Sequence, residues 1–330
     1  MTEDIQFLLE KGNPSIQYRT KLEILAEKQD NLEISELYSK ILEDPQVLHC
    51  FSLVQEDGSL GTLFHTTGEQ DPFQGSEISI RFLCEMGVKS DHPILKAGLD
   101  ALLKPEGTKE LAPKNEAYSD GGELIIGSLF ARAGIENRVA RKRCEIALDS
   151  FAQTLRFKTY EQVATEFRQQ LVYEDGIRWP CIYDLKALAF TKQWRTVENL
   201  MLLERAIDHL QSFVPYVKLY QRSGNTFYAP AEALQDEFLP DIENLPKGEA
   251  HKWWNRMELV ARCSVKPKVF TTQLKKLQEL DNEFLSQTFN DGRIRGWNAY
   301  HGLKLMQDWK ENKRLVDMLF RKQLIVKHSS

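Results

Sequence analysis

Four aspartates stand immediately before a glycine, at Asp57, Asp120, Asp175 and Asp291. A carboxylate in such a turn accepts from nearby backbone N–H groups, and one facing a cavity can hold a ligand or a proton. Together with Glu123 and Asp184, Asp120 and Asp175 are numerous enough to supply the paired carboxylates of a glycan-cleaving enzyme. Aromatic residues form a second set: Trp179, Tyr183, Trp253, Trp254, Trp297 and Tyr300 fall on predicted helices or their turns. Such rings stack on sugars, shield isoprenoids or fill a core. There is no Gly-x-Ser-x-Gly, no phosphate-binding glycine loop, no His-Glu-x-x-His and no Cys-x-x-Cys. These absences disfavour the common serine-hydrolase, nucleotide-binding and zincin classes.

The elements that must position these residues are read from the same Asp-Gly pairs. Their aspartates are spaced 63, 55 and 116 apart, the last being about twice 58, so a degenerate unit is expected between the third and fourth copies. Apolar residues at three-and-four spacing follow each pair. Ile78, Phe82, Leu83 and Met86 lead to Gly87 as a C′ residue, and Leu95, Leu99 and Leu102 form a partner helix. Leu124 to Phe130 and Val139 to Phe151 make a second pair, and a third is predicted from Trp179-Pro180 at a helix start with its partner from Val197 to Phe213. The missing unit is placed near Ser223-Gly224-Asn225, and the fifth carries Trp297, Tyr300 and Met306. Residues 1–50 are read as capping helices, with Asn13 an N-cap and Pro14 at N1, and residues 51–330 as about five helix pairs in one continuous domain.

The expected fold is therefore all-α, built of stacked helix pairs that bury a continuous core only together. A closed α/α toroid is preferred, because the helices after each Asp-Gly are apolar on more than one face, as enclosed helices would be; an open solenoid is the alternative. The runs QEDGSLGTLF, YSDGGELIIG, YEDGIRWPCI and FNDGRIRGW resemble the repeats of the prenyltransferase and squalene-cyclase (terpenoid cyclase) type α/α toroids over about residues 51–327. The opening KGNPSIQYRTKLEIL is similar to the start of uncharacterised bacterial members of that superfamily.

That resemblance implies a central cavity and brings two chemistries to test. Terpenoid-cyclising members use an Asp-x-Asp-Asp cluster as the acid, and none occurs here. Protein-prenylating members hold zinc through an Asp-x-Cys pair and a later His. The matching residues here are Asp175, Cys181 and His301, with Asp175 and Cys181 six apart rather than two. No cofactor is expected, and zinc enters only through those three. The expected function is a toroid whose cavity binds an apolar or isoprenoid-like ligand through Trp179, Tyr183, Trp253, Trp254, Trp297, Tyr300 and His301, with Asp120 and Asp175 at its mouth. The alternatives are a non-catalytic scaffold for a protein partner and a carbohydrate-active α/α-barrel enzyme.

Composition agrees with an ordered chain: 42% of its 330 residues are hydrophobic and only 18 are Gly and 12 Pro. Net charge is −5, with residues 247–330 holding +8 and the rest −13. The basic residues are scattered rather than gathered in a run, so a solvated face is expected and a nucleic-acid partner is not. The N-terminus has no basic start and long apolar run of a signal peptide, and no window reaches 18 uninterrupted apolar residues, so a cytoplasmic protein without a membrane span is expected. Five widely separated cysteines suit reduced core thiols.

Overall fold

The computed structural model describes residues 2–64, 71, 73–104, 121–213, 217–228, 232–234, 238–245, 250–287, 302, 304–307, 309 and 313–330. They are mostly helical. In chain order the helices are α1 (Glu3–Lys11), α2 (Pro14–Arg19), α3 (Leu32–Leu42), α4 (Pro45–Ser52), α5 (Ser76–Met86), α6 (Pro93–Ala101), α7 (Gly121–Arg132), α8 (Arg138–Thr154), α9 (Ile182–Phe190), α10 (Val197–Leu210), α11 (Ala250–Arg262), α12 (Lys268–Glu279), α13 (Asn282–Gln287) and α14 (Lys313–Ser329). The strands are β1 (Ala164–Phe167), β2 (Gln170–Tyr173), β3 (Leu219–Ser223) and β4 (Thr226–Tyr228).

Local chemistry accounts for many of the boundaries. Asn13 accepts from the Ile16 amide with Pro14 opening α2, and Asp44 accepts from the Gln46 amide with Pro45 opening α4. Asn137 and Thr196 cap α8 and α10 in the same way. Gly87 ends α5 at φ 94°, where a side chain would be strained.

Helices buried on every face alternate along the chain with helices that expose one face. In α5 every residue but Cys84 is buried, and in α9 the whole stretch Ile182–Ala189 is buried. No residue of α11 is exposed, whereas α6, α8, α10 and α12 each carry an exposed stripe.

The chain divides into two compact units. The first comprises Met1–Leu102, Leu245–Glu258 and Leu274–Ser330; the second comprises Leu103–Asn244 and Leu259–Gln273. In the first, α1 packs on α14, α2 on α3, α5 on α6 and α13 on α14. Asn13 Nδ2 donates to the Leu305 carbonyl and Gln323 to Asp4, tying the two ends of the chain together. In the second, α8 packs against α7, α9 and α10. Gly127 of α7 lets α8 approach closely: a Cβ there would stand 2.7 Å from Cβ of Arg143.

The expectation of an all-α chain is corrected by a four-stranded sheet in the second unit, ordered β1-β2-β3-β4. β1–β2 and β3–β4 are antiparallel hairpins, and β2 pairs with β3 in parallel. The strands are three to five residues long, too short for their alternation to stand out. The β1–β2 turn places Arg168 and Gln169 at φ 51° and 64° without Gly or Asn to signal it. Ser223-Gly224-Asn225, expected to open a fourth helical unit, is instead the β3–β4 turn; that helix pair is α11 and α12.

Candidate functional site

The structure places several of the expected site residues in the interior. Trp179, in the second unit, is buried, donates its indole N–H to the Leu234 carbonyl at 3.1 Å and meets Phe213 edge-to-face at 5.0 Å. It does not open a helix: Cys181 is the N-cap of α9, because residues 180–182 run extended against 232–234. Tyr183 is buried beneath Lys186 Nζ, 4.8 Å from its ring centre. In the first unit Trp253 and Trp254 pack edge-to-face at 5.4 Å and are both buried. All four described aromatics are thus core side chains. Trp297, Tyr300, His301, Asp120 and Asp291 lie outside the described residues.

The Asp-Gly turns that are described act structurally. Asp57 Oδ1 accepts from both the amide and the hydroxyl of Ser59, at 2.9 and 2.7 Å. Asp175 is exposed in the turn after β2.

Of the carboxylates considered for acid–base work, Glu123 is ion-paired on the surface with Lys142 at 3.0 Å. Asp184 is buried; one oxygen accepts from the Cys181 amide at 2.9 Å and the other is paired with Arg143. Capping and charge neutralisation occupy Asp184, and the two carboxylates do not share a cleft wall. Among the described residues no three His, Cys, Asp or Glu side chains converge as a metal ligand set. Asp175 lies at the surface while Cys181 is buried, and burial pushes the Cys181 thiol up although Arg143 works the other way. That favours the neutral thiol over the thiolate a metal needs. All five cysteines are free, and Cys50, Cys144, Cys181 and Cys263 are buried.

A recess in the second unit, about 230 Å³, is bounded by Arg141, Cys144, Thr191, Trp194 and Asn199. It falls below the usual range of small-molecule sites. Within its wall Asn199 Nδ2 donates to the Trp194 carbonyl at 2.7 Å, and Cys144 Sγ lies 3.0 Å from Thr191 Oγ1.

The strongest concentration of unspent chemistry is a buried charge cluster in the first unit that the sequence did not disclose. Arg19 Nη1 donates to the Glu85 carboxylate at 2.9 Å and to its carbonyl at 3.0 Å, while Arg19 Nε donates to Glu23. Arg321 Nη1 bridges Glu85 at 3.1 Å and Glu258 at 2.8 Å. Each arginine is at most 2% exposed. Burial opposes the Arg19 charge, but Glu23, Glu85 and Glu258 outweigh it and hold the guanidinium above its ordinary value. Burial likewise opposes the charge of Arg321, which Glu85 and Glu258 restore. The Arg19 guanidinium also sits 4.9 Å from the centre of the Phe320 ring.

Several buried side-chain polar groups of this unit make no hydrogen bond among the described residues, two of them at or beside this cluster. Arg19 Nη2 and Trp254 Nε1 are fully buried and make no hydrogen bond. Trp254 stands one helical turn before Glu258 on α11, which places it on the helix face that carries this cluster member. One turn before Arg321, Asp317 accepts from the Leu305 and Met306 amides and, at 2.6 Å, from Trp309 Nε1. Burial raises its carboxyl to about 6, and these donors and Arg321 only partly offset it.

The missed signal was present as Glu77, Arg81 and Glu85, four apart on α5. That spacing reads as a solvated stripe, yet all three are buried. No family model matches the chain, and neither a curated protein nor a solved structure matches it.

Proposed function

We propose that this chain is a helical-repeat protein of the α/α-toroid kind that encloses a small polar ligand in the charged cluster of Arg19, Glu85, Glu258 and Arg321. Alternation of all-buried and one-face-exposed helices supports the toroid, as does the resemblance to prenyltransferase and squalene-cyclase repeats. Five free thiols support a reducing, cytoplasmic setting. No described helix is long and apolar enough to cross a membrane.

The observation that carries the reading is the pair of orphaned donors, Arg19 Nη2 and Trp254 Nε1. A buried donor without an acceptor costs about 1–3 kcal/mol, so native interiors fill such positions with a bound group or water. The ligand is read as polar rather than isoprenoid because the described aromatic rings pack in the core, Trp254 keeping only its N–H to offer, while the enclosed helices carry ionised side chains. It must present acceptors to two N–H groups.

Native mass spectrometry of gently purified protein, followed by denaturing extraction, tests this. The expected result is a stoichiometric polar small molecule whose retention drops in Trp254→Phe. A lipid in the extract would restore the apolar-ligand reading. A bare chain mass would favour the scaffold reading, which the outward Val197 and Met201 on α10, 69% and 57% exposed and one turn apart, also support.

A further inference from the structure

The sheet of the second unit carries a surface that no single stretch of sequence reveals. In the β1–β2 register Thr165 opposes Val172, and in the β2–β3 register Val172 is beside Tyr220. Since alternate residues share a face, Phe167 lies with Thr165, and Arg222 lies with Tyr220. Arg222 in turn opposes Phe227. Phe167, Tyr220, Arg222 and Phe227 therefore occupy one face of the sheet, each half-buried or exposed.

The rings are gathered and topped by cations. Phe227 lies 6.0 Å from Phe167 and 6.1 Å from Tyr220, centre to centre. The Arg222 guanidinium stands 4.3 Å from the centre of Phe167, Arg168 lies 5.3 Å from the same ring, and Lys218 Nζ is 5.0 Å from Tyr220. Arg168, Lys218 and Arg222 are all exposed. Among the described residues no carboxylate forms an ion pair with any of them, although the chain as a whole is acidic. The face's remaining strand residues, Thr165, Gln170 and Val172, are neutral, while Glu166 belongs to the opposite face.

We propose that this face binds single-stranded nucleic acid, with bases stacking on Phe227, Tyr220 and the Phe167–Arg222 stack, and phosphates meeting Arg168, Lys218 and Arg222. Three cations with no carboxylate partner among the described residues call for an anionic partner, and adjacent half-exposed rings call for planar groups; a single strand supplies both at short spacing. A duplex hides its base faces. The expectation from sequence that nucleic acid is not a partner rested on the lack of a basic run. Here the cations come from two hairpins about fifty residues apart.

The test is fluorescence anisotropy of full-length protein with a labelled oligothymidylate of about fifteen nucleotides at about 50 mM salt. Saturable binding is expected, weakening about 20-fold between about 50 and 200 mM salt as three phosphates imply. Phe227→Ala should weaken it about 5- to 100-fold, and Phe227→Tyr, which keeps a ring, should not. Arg222→Gln should lower the salt slope by about 0.7. Circular dichroism checks that each variant is folded, and Phe227→Tyr with Arg222→Gln decides the matter if Phe227→Ala does not fold. No saturable binding up to about 100 µM protein, equal binding of a polyglutamate peptide, or indifference to both Phe227→Ala and Arg222→Gln overturns the proposal.

Discussion

The carboxylate of Glu85 accepts from Arg321 Nη1 at 3.1 Å, joining residues 236 positions apart inside the first unit. Because Arg19 donates to the same oxygen, one glutamate holds two buried guanidiniums. Removing its charge strands both. Glu85→Gln is expected to destabilise the chain by about 3–5 kcal/mol, read from urea unfolding. A loss under about 1 kcal/mol would mean that Glu23 and Glu258 suffice for the two arginines.

In the second unit the corresponding pair is Arg143 and Asp184, both buried. Arg143→Met and Asp184→Asn should each cost several kcal/mol, and the double variant should cost less than their sum by more than about 1 kcal/mol. Additive losses would show that Asp184 acts chiefly through its cap on the Cys181 amide.

Asp317 gives the chain a pH dependence of defined sign. Its folded value is raised by burial to about 6, above the roughly 3.9 of an unfolded aspartate, so the folded chain binds this proton more tightly. Stability from this group is complete below about pH 4 and is lost as pH rises to about 6. The stability of Asp317→Asn relative to wild type should therefore improve across that window by about 3 kcal/mol. The opposite slope would mean that the donors from Leu305, Met306 and Trp309 outweigh burial.

The thiols offer a labelling prediction. Burial pushes Cys50 and Cys263 up to about 12 and also raises Cys144 and Cys181. Iodoacetamide at about pH 8 should alkylate Cys84, the one cysteine that is not buried, with the other four reacting only after unfolding. Rapid native alkylation of Cys181 would contradict its buried place at the N-cap of α9.

What could be read from sequence was whatever short-range chemistry decides. Asn13-Pro14 and Gly87 set helix ends by their own bonding and φ, and the apolar stripes of α6, α8, α10 and α12 follow the helical period. What could not be read was decided by distant partners. Glu77, Arg81 and Glu85 have the spacing of a solvated stripe, and only Arg19, Glu258 and Arg321, brought from other elements, make Glu85 a buried charge. By type and position Trp179 suits either a cavity wall or a core, and what decides it, the Leu234 carbonyl that satisfies its N–H, arrives from a segment 55 residues away. The sheet was missed because Arg168-Gln169 turns without glycine and β2 pairs with a strand beyond two intervening helices.

The central claim is that a bound group completes the cluster around Arg19 and Trp254. High-resolution crystallography of protein purified without harsh washing tests it most directly. The account predicts density for a polar molecule with acceptor atoms about 3 Å from both Arg19 Nη2 and Trp254 Nε1. A lone water at each donor, or a protein acceptor reaching both, in a chain whose native mass is that of the polypeptide alone, would contradict it.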